Sequence, residues 1–432
     1  MREKREERNY NMIDNYERFD MNKPPKRQPF YLKLIIWTLS FIATKLHGSK
    51  LDKSGVPKSL RPPYLVLANH NAFLDYTVLT KAIFPHGANY VVSIDGFHGF
   101  FLMEWLLRSV GGICTRKFSR NLYVVKNMFI AGKKGRIIVL YPEARYSLCG
   151  TQAVLPESLG KIILKLNIPV VMLMCYGHHV NSPFWNVGDR GVRPVEANMK
   201  LLYSKDDLKN LTASQINEEL AQEIVYDDFA WQKEKGIRIK HKRRAEGLHK
   251  VLYQCPACLV EYQMTSFNNK LQCTACSKVW EMTELGELKA KNGETEFSHI
   301  PDWYEWERLN VRKEVEEGTY FFESSVRVES LPNAKAFVVF PEPAHLIHSM
   351  DGFHLVGISK QGHKFDMKWP VPALYSCHIE YNYKKRGDCV DLNTRNDTLY
   401  LFPSRKDFSV TKIAIATEEL YQKYEREEKK KM

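Results

Sequence analysis

Between residues 30 and 230, short apolar runs alternate with amphipathic stretches, and this alternation constrains the fold more than any other feature of the chain. The runs Tyr64–Ala68, Tyr90–Ser93, Arg136–Tyr141 and Pro169–Tyr176 read as strands, with helical patterns between them. Such alternation predicts an α/β domain with a largely parallel sheet and flanking helices.

Three of the runs end in polar groups: Asn69-His70, Pro142-Glu143-Ala144-Arg145 and Gly177-His178-His179. Ligands of open α/β sheets bind outside the carboxyl ends of the strands, so converging polar groups there suit an active site. His70 and Asp75 are five apart, a spacing that does not face across one continuous helix. The pair works if His70 lies in a turn and a helix starts near Ala72. Asp75 then falls in the first helical turn, where negative charge is favoured. Its carboxylate can hold one ring nitrogen and leave the other as a base. The plainer alternative is a polar loop with a helix-capping aspartate. Between the first two strand ends lie Arg116, Lys117, Arg120, Lys126, Lys133, Lys134 and Arg136. They suit a phosphate-bearing substrate or, more simply, a solvated basic face.

A net charge of +13 predicts attraction to something anionic: nucleic acid, lipid headgroups or a phosphorylated substrate. Nine cysteines and a charged amino terminus without a secretory pattern predict reduced thiols and a cytosolic setting. No apolar stretch reaches the roughly 18 to 20 residues that span a bilayer. Phe30–Leu46 comes nearest, with Lys33 and Lys45 toward its ends. A helix there is apolar almost all round and must be covered, by lipid as an interfacial anchor or by protein as a core helix.

Cys255-Pro-Ala-Cys258 and Cys273-Thr-Ala-Cys276 are separated by 14 residues. Two such pairs on facing hairpin turns place four thiolates tetrahedrally, which predicts a structural zinc ribbon with no open coordination position. A basic stretch precedes it (Lys233, Lys235, Arg238, Lys240, Lys242, Arg243, Arg244, Lys250) and is expected to meet an anionic membrane. A zinc ribbon beside a basic segment also fits a nucleic-acid binder, but no aromatic platform marks the segment, so nucleic acid is disfavoured.

Together the strand-end blocks resemble the glycerophospholipid acyltransferase family, which includes the lysophosphatidic acid acyltransferases. That family carries asparagine-histidine, four residues and aspartate, then a glycine-isoleucine block with arginine. A phenylalanine-proline-glutamate-glycine-threonine-arginine-serine block and a proline-valine strand follow. Asn69-His70…Asp75, Gly111–Lys117, Tyr141–Ser147 and Ile168–Val171 stand in the same order and at matching separations. The resemblance implies His70 as general base and Asp75 as its orienting partner. It places Asn69, Arg116, Lys117, Glu143 and Arg145 at a phosphorylated lipid acceptor such as 1-acyl-sn-glycerol-3-phosphate. The donor is implied to be an acyl-CoA or acyl carrier protein thioester, without a catalytic metal. Four positions depart from the pattern: in the later block Ala144 replaces glycine, Arg145 threonine and Tyr146 arginine, and in the earlier block Lys117 stands where the family has its arginine.

The expected organisation is a charged tail (1–29), an acyltransferase domain with an N-terminal interfacial helix (30–230), a basic linker helix (231–252), a zinc ribbon (253–290), a connecting helix (291–318) and a β-rich domain with a C-terminal helix (319–432), vaguely pleckstrin-homology-like. The expected whole is an O-acyltransferase on the cytoplasmic side of a membrane, peripheral or monotopic. The rival is an inactive acyltransferase-like scaffold. A water-accepting esterase ranks last, because no GxSxG elbow is present.

Overall fold

The computed structural model describes residues 14–100, 102–119 and 121–431. The first expectation, an α/β core, is met by a seven-stranded sheet. Its strands are β1 (Lys50–Gly55), β2 (Leu65–Ala68), β3 (Ala88–Ser93), β4 (Ile113–Thr115), β5 (Ile137–Leu140), β6 (Val170–Tyr176) and β7 (Glu196–Tyr203), in the order β1-β7-β6-β2-β5-β3-β4. All pairs are parallel except β6 with β7. Every residue of β2 is buried, as a central strand with both faces covered requires. The flanking helices are α1 (Phe30–Leu46), α2 (Leu74–Ile83), α3 (Leu122–Lys133), α4 (Ser158–Leu166) and α5 (Ala213–Glu223). The topology puts the carboxyl ends of β2, β5 and β6 side by side.

The α1 helix occupies the predicted span but packs with inverted polarity. Its buried residues are Leu32, Ser40 and Thr44, whereas Phe30, Tyr31, Ile35, Leu39, Ile42 and Leu46 stand exposed. The reading of α1 as a core helix therefore fails, because most of its large apolar residues face outward. Among the described residues no helix is long and apolar enough to cross a membrane.

Two expectations about connecting segments are corrected. Of the expected tail, residues 1–13 lie outside the described residues, but 14–29 form a strap. Phe19 and Met21 are buried, Arg18 pairs with Asp397 at 2.8 Å, and Asn89 and Asn127 donate to the carbonyls of Lys26 and Met21. The expected basic linker helix ends early, after α6 (Asp228–Glu234); beyond it only one short turn, Leu248–Lys250, is helical. Ile239, Ala245, Leu248, Val251 and Leu252 are interleaved among the charges and are fully buried, which pins the segment down while Arg238, Lys240, Lys242 and Arg243 point outward. Apolar anchors decided this, not the charge run.

A four-stranded antiparallel sheet carries the cysteine pairs: β8 (Met264–Phe267), β9 (Lys270–Cys273), β10 (Val279–Met282) and β11 (Leu288–Ala290). It leads to α7 (Ile300–Glu316) and an eight-stranded antiparallel sheet: β12 (Phe322–Ser330), β13 (Val338–Val339), β14 (Ala344–Ser349), β15 (Gly352–Ile358), β16 (Lys364–Pro370), β17 (His378–Glu380), β18 (Cys389–Asn393) and β19 (Thr398–Pro403). The strand path runs from β16 to β17 without pairing those ends among the described residues, so the vaguely expected barrel is open. The chain ends in α8 (Val410–Lys431), whose first half is buried. One apolar core joins this sheet, the cysteine module and α8 to Leu148, Val180, Phe184 and Trp185 of the α/β part.

Candidate active site

The turn between β2 and α2 has the shape that the His70–Asp75 spacing required: Leu74 opens the helix and Asp75 lies in its first turn. Asp75 is fully buried. Its Oδ2 accepts from the backbone N–H groups of Asn71 (2.6 Å) and Ala72 (3.0 Å) and from His70 Nδ1 (3.2 Å), while Oδ1 accepts from His178 Nδ1 at 2.5 Å. Burial pushes this carboxyl up, but the hydrogen bonds from His178 and His70 outweigh it and hold the group at about 2. The carboxylate is therefore ionised and fixes the His70 ring through Nδ1, leaving Nε2 as the nitrogen open to a substrate. The ring is further held between Tyr141 and Tyr146, at centroid distances of 4.1 and 4.3 Å. Its side chain remains 23% exposed, enough to be reached.

Asn69 does not face a ligand. Its amide oxygen accepts from Cys175 N and its amide nitrogen donates to Cys175 O, both at 2.8 Å, which ties the end of β2 to β6. Glu143, after β5, is fully buried and accepts from His70 N (3.0 Å), Ala153 N (2.8 Å) and the Tyr226 hydroxyl (3.1 Å). Burial pushes it up to about 7 despite these donors. Glu143 thus holds the His70 backbone rather than a phosphate.

The two arginines expected at the acceptor are engaged inside the protein. Arg116 is 1% exposed and donates to Thr398 Oγ1 (2.5 Å) and to the carbonyls of Asn396 (3.0 Å), Leu331 and Pro332 (both 3.3 Å). Arg145 is buried against Glu418 of α8 at 2.6 Å and reaches Ser376 at 3.3 Å. Their placement corrects the phosphate-clamp expectation: a sheet and helix that the resemblance did not cover supply the carbonyls and the carboxylate that hold them. Lys117 is likewise engaged, donating to His378 Nε2 at 2.7 Å and lying 3.4 Å from Asp95; Arg120 lies outside the described residues.

His178 was not assigned a role from the sequence, although its strand end was singled out. The missing signal is tertiary: β6 lies beside β2, so a residue 103 positions from Asp75 becomes its nearest partner. Asp228 supports that turn by accepting from Gly177 N (3.0 Å) and His179 N (2.7 Å).

The sulfurs of Cys255, Cys258, Cys273 and Cys276 all lie within 4.8 Å of one another, with Cys255–Cys276 at 3.8 Å and Cys258–Cys273 at 3.7 Å. A tetrahedral zinc with Zn–S of about 2.3 Å requires sulfurs about 3.8 Å apart. The four thiols therefore fit such an ion, and Leu271 and Trp280 pack fully buried behind them.

A model of the acyltransferase family matches residues 46–175, the stretch that contains β2, the His70–Asp75 turn and the Glu143 loop. Residues 46–175 thus carry an acyltransferase-family domain. Among solved structures the chain is similar to the 1-acyl-sn-glycerophosphate (LPA) acyltransferase PlsC from Thermotoga maritima, with 16% identity, a TM-score of 0.36, and coverage of 45% of this chain and 77% of that one. A comparison with curated proteins finds no match.

Proposed function

We propose that the protein is an O-acyltransferase that moves a fatty acyl chain from a thioester donor, acyl-CoA or acyl carrier protein, to a hydroxyl of a glycerophospholipid-type acceptor at a membrane surface. The observation that carries this reading is the His70 ring held by an ionised Asp75, with Nε2 open at the end of β2. The acceptor hydroxyl gives its proton to Nε2 as its oxygen bonds to the thioester carbonyl carbon. The tetrahedral intermediate then expels the sulfur, and the proton on His70 passes to the departing thiolate to give ester and thiol. General base catalysis contributes ~10² to 10⁴ in rate, and positioning must supply more.

Membrane attachment is supported by the outward apolar face of α1. Each side chain of that size gains roughly 1.5–3 kcal/mol when it leaves water. The basic side chains about it add attraction to anionic lipid on the cytoplasmic side. The four-cysteine module is read as a structural zinc site; the purified protein is expected to hold one zinc per chain by atomic absorption, and Cys273→Ser to lose it.

The test of the catalytic reading gives purified wild type and His70→Ala an acyl-CoA and a panel of lysolipids. Transfer by wild type that is lost in the variant is the expected result. Absence of transfer to every acceptor by wild type favours the scaffold, and equal activity of the variant removes His70 as the base.

A further inference from the structure

Asp75 stands between two imidazoles, and only one of them can meet a substrate. His70 donates from Nδ1 to Oδ2 at 3.2 Å and keeps 23% of its side chain exposed. His178 donates from Nδ1 to Oδ1 at 2.5 Å, and neither side chain of that bond is exposed at all. The two carboxylate oxygens are loaded unequally. Oδ2 takes the Asn71 and Ala72 amides as well as His70, whereas His178 is the one donor to Oδ1 among the described residues.

The fold fixes His178 in this place. It opens the short helical turn after β6 (His178–Asn181), and Asp228 ties that turn down through the flanking amides of Gly177 and His179. His178 Nε2 is buried and meets no partner among the described residues. A proton there would be a buried N–H without an acceptor, so the ring is held as a neutral Nδ1–H donor. Without this donor Oδ1 would be a bare carboxylate oxygen in a dry site. The donor also competes. A carboxylate that shares its charge with His178 offers less of it to the positive ring that His70 becomes on taking a proton.

We propose that His178 is a positioning residue of the acyl transfer, acting on His70 through Asp75. It fixes the carboxylate plane that aims His70 Nε2, and by sharing the carboxylate's charge it lets the base work further toward acid pH. The proposal rests on the reading of His70 as that base. The other titratable groups about the three residues leave this role to His178. Burial pushes Cys175, Tyr141 and Tyr146 far up and His179 down to about 3, so all four are uncharged near neutral pH. Burial raises Glu143 and Asp228 to about 7, but they bond backbone amides rather than Asp75 and stay in place in every variant below.

The test compares full-length wild type with His178→Leu, which removes the donor, and with His178→Asn. The asparagine amide nitrogen is bonded to Cγ, as Nδ1 is, and keeps a neutral donor in place. In the first arm, transfer from an acyl-CoA to the lysolipid that wild type acylates fastest is followed over about pH 5 to 9. His178→Leu is expected to lower kcat about 10- to 100-fold with KM nearly unchanged. Its acid-side fall in kcat/KM should move up by about 0.5–1 pH unit. His178→Asn should restore most of the rate and the wild-type profile. An unmoved profile in His178→Leu, or no rescue by asparagine, marks a structural role and overturns the proposal.

The second arm does not need catalysis. Diethyl pyrocarbonate modifies unprotonated imidazoles, and its extent of reaction at His70 is read by peptide mass spectrometry as pH is varied. The pH of half-maximal modification should rise in His178→Leu and not in His178→Asn. That rise supports the coupling even if wild type acylates nothing, in which case only the reading of His70 as the base falls. No rise overturns the proposal whatever the activity. Should His178→Leu fail to fold, His178→Gln takes its place, since its amide nitrogen lies one bond further out. Equal behaviour of the Gln and Asn variants in both arms then overturns the proposal.

Discussion

The carboxyl ends of β2 and β5 pair side by side in the sheet and are held in opposite ways. After β2, nearly every polar group closes on partners inside the α/β sheet: Asp75 on His70 and His178, Asn69 on Cys175. After β5, the chain faces the other way. Glu143 supports the His70 backbone, Arg145 reaches Glu418 on the last helix, and Ala144 and Tyr146 pack against the core shared with the C-terminal sheet. The two residues that look standard for the family lie where the sheet alone supplies the partners. The three after β5 that depart from it lie where a second body of protein supplies them. A motif can thus change because its neighbour changed, with the His70–Asp75 pair beside it kept.

The largest effect should come from the β2 end. His70→Ala is expected to lower kcat by ~10² to 10⁴ or more in a single-turnover acyl-transfer assay. Asp75→Asn should approach it, because a side-chain amide cannot accept all four donors that now converge on the carboxylate. Retention of most activity by either variant would move the base elsewhere and dissolve the comparison.

Next comes the anchor of the β5 end. Glu418 is fully buried and meets Arg145 at 2.6 Å, Arg308 at 2.8 Å and Ser376 at 2.7 Å. Glu418→Ala leaves two arginines without that carboxylate and should cost about 3–5 kcal/mol in urea unfolding. Activity should fall too, through the displaced Tyr146 and Glu143, although α8 is remote in sequence. A change within about 0.5 kcal/mol would show that the loop holds itself.

The two ends should also differ in the sign of their pH dependence. Asp75 is depressed to about 2, so its contribution is present above the ordinary carboxylate range near 3.9 and is lost only as pH falls through about 2. Glu143 is raised to about 7, so its contribution is full below about 4.5 and is lost as pH rises through about 7. The shift corresponds to about 3 kcal/mol across that interval. Stability of wild type should therefore slope downward from pH 5 to 7, and Glu143→Gln should flatten the slope whatever its effect on absolute stability. An unchanged slope would assign that pH dependence to other raised carboxyls such as Asp228.

The same division explains what was legible in the sequence. The strands β2, β3, β5 and β6 stood out because central strands are unbroken apolar runs, and the His70–Asp75 pair because both partners sit within one turn. The edge strand β1 and its neighbour β7 were missed: polar and charged residues, such as Lys50 and Asp52 to Ser54 in β1 and Glu196, Asn198 and Lys200 in β7, break up any apolar run. His178 was seen but not assigned, since its role depends on which strand lies next to β2. Arg116 and Arg145 were read as ligand cations because isolated arginines near a strand end look alike whether they face a phosphate or a carboxylate 273 residues away. The short apolar anchors at Phe19, Met21 and Ile239 were hidden among charges, so a strap and a buried connector looked like a tail and a linker.

The smallest effect tests whether all three departures after β5 belong to the second body. Ala144 has φ 56°, the left-handed conformation that costs an L-residue roughly 1–2 kcal/mol and that the family's glycine adopts freely. Ala144→Gly removes that strain but loosens the unfolded chain, a loss of about 0.4–1 kcal/mol. On backbone terms alone the variant should gain up to ~1 kcal/mol in denaturant unfolding. Ala144 is, however, partly buried against the core that includes the C-terminal sheet. If its methyl group is a true packing contact there, the gain vanishes or reverses, since a buried methylene is worth about 0.8 kcal/mol. A stabilised variant would make Ala144 a strained substitute that owes nothing to the C-terminal sheet. A destabilised one would place it with Arg145 and Tyr146 as part of the joint between the two bodies.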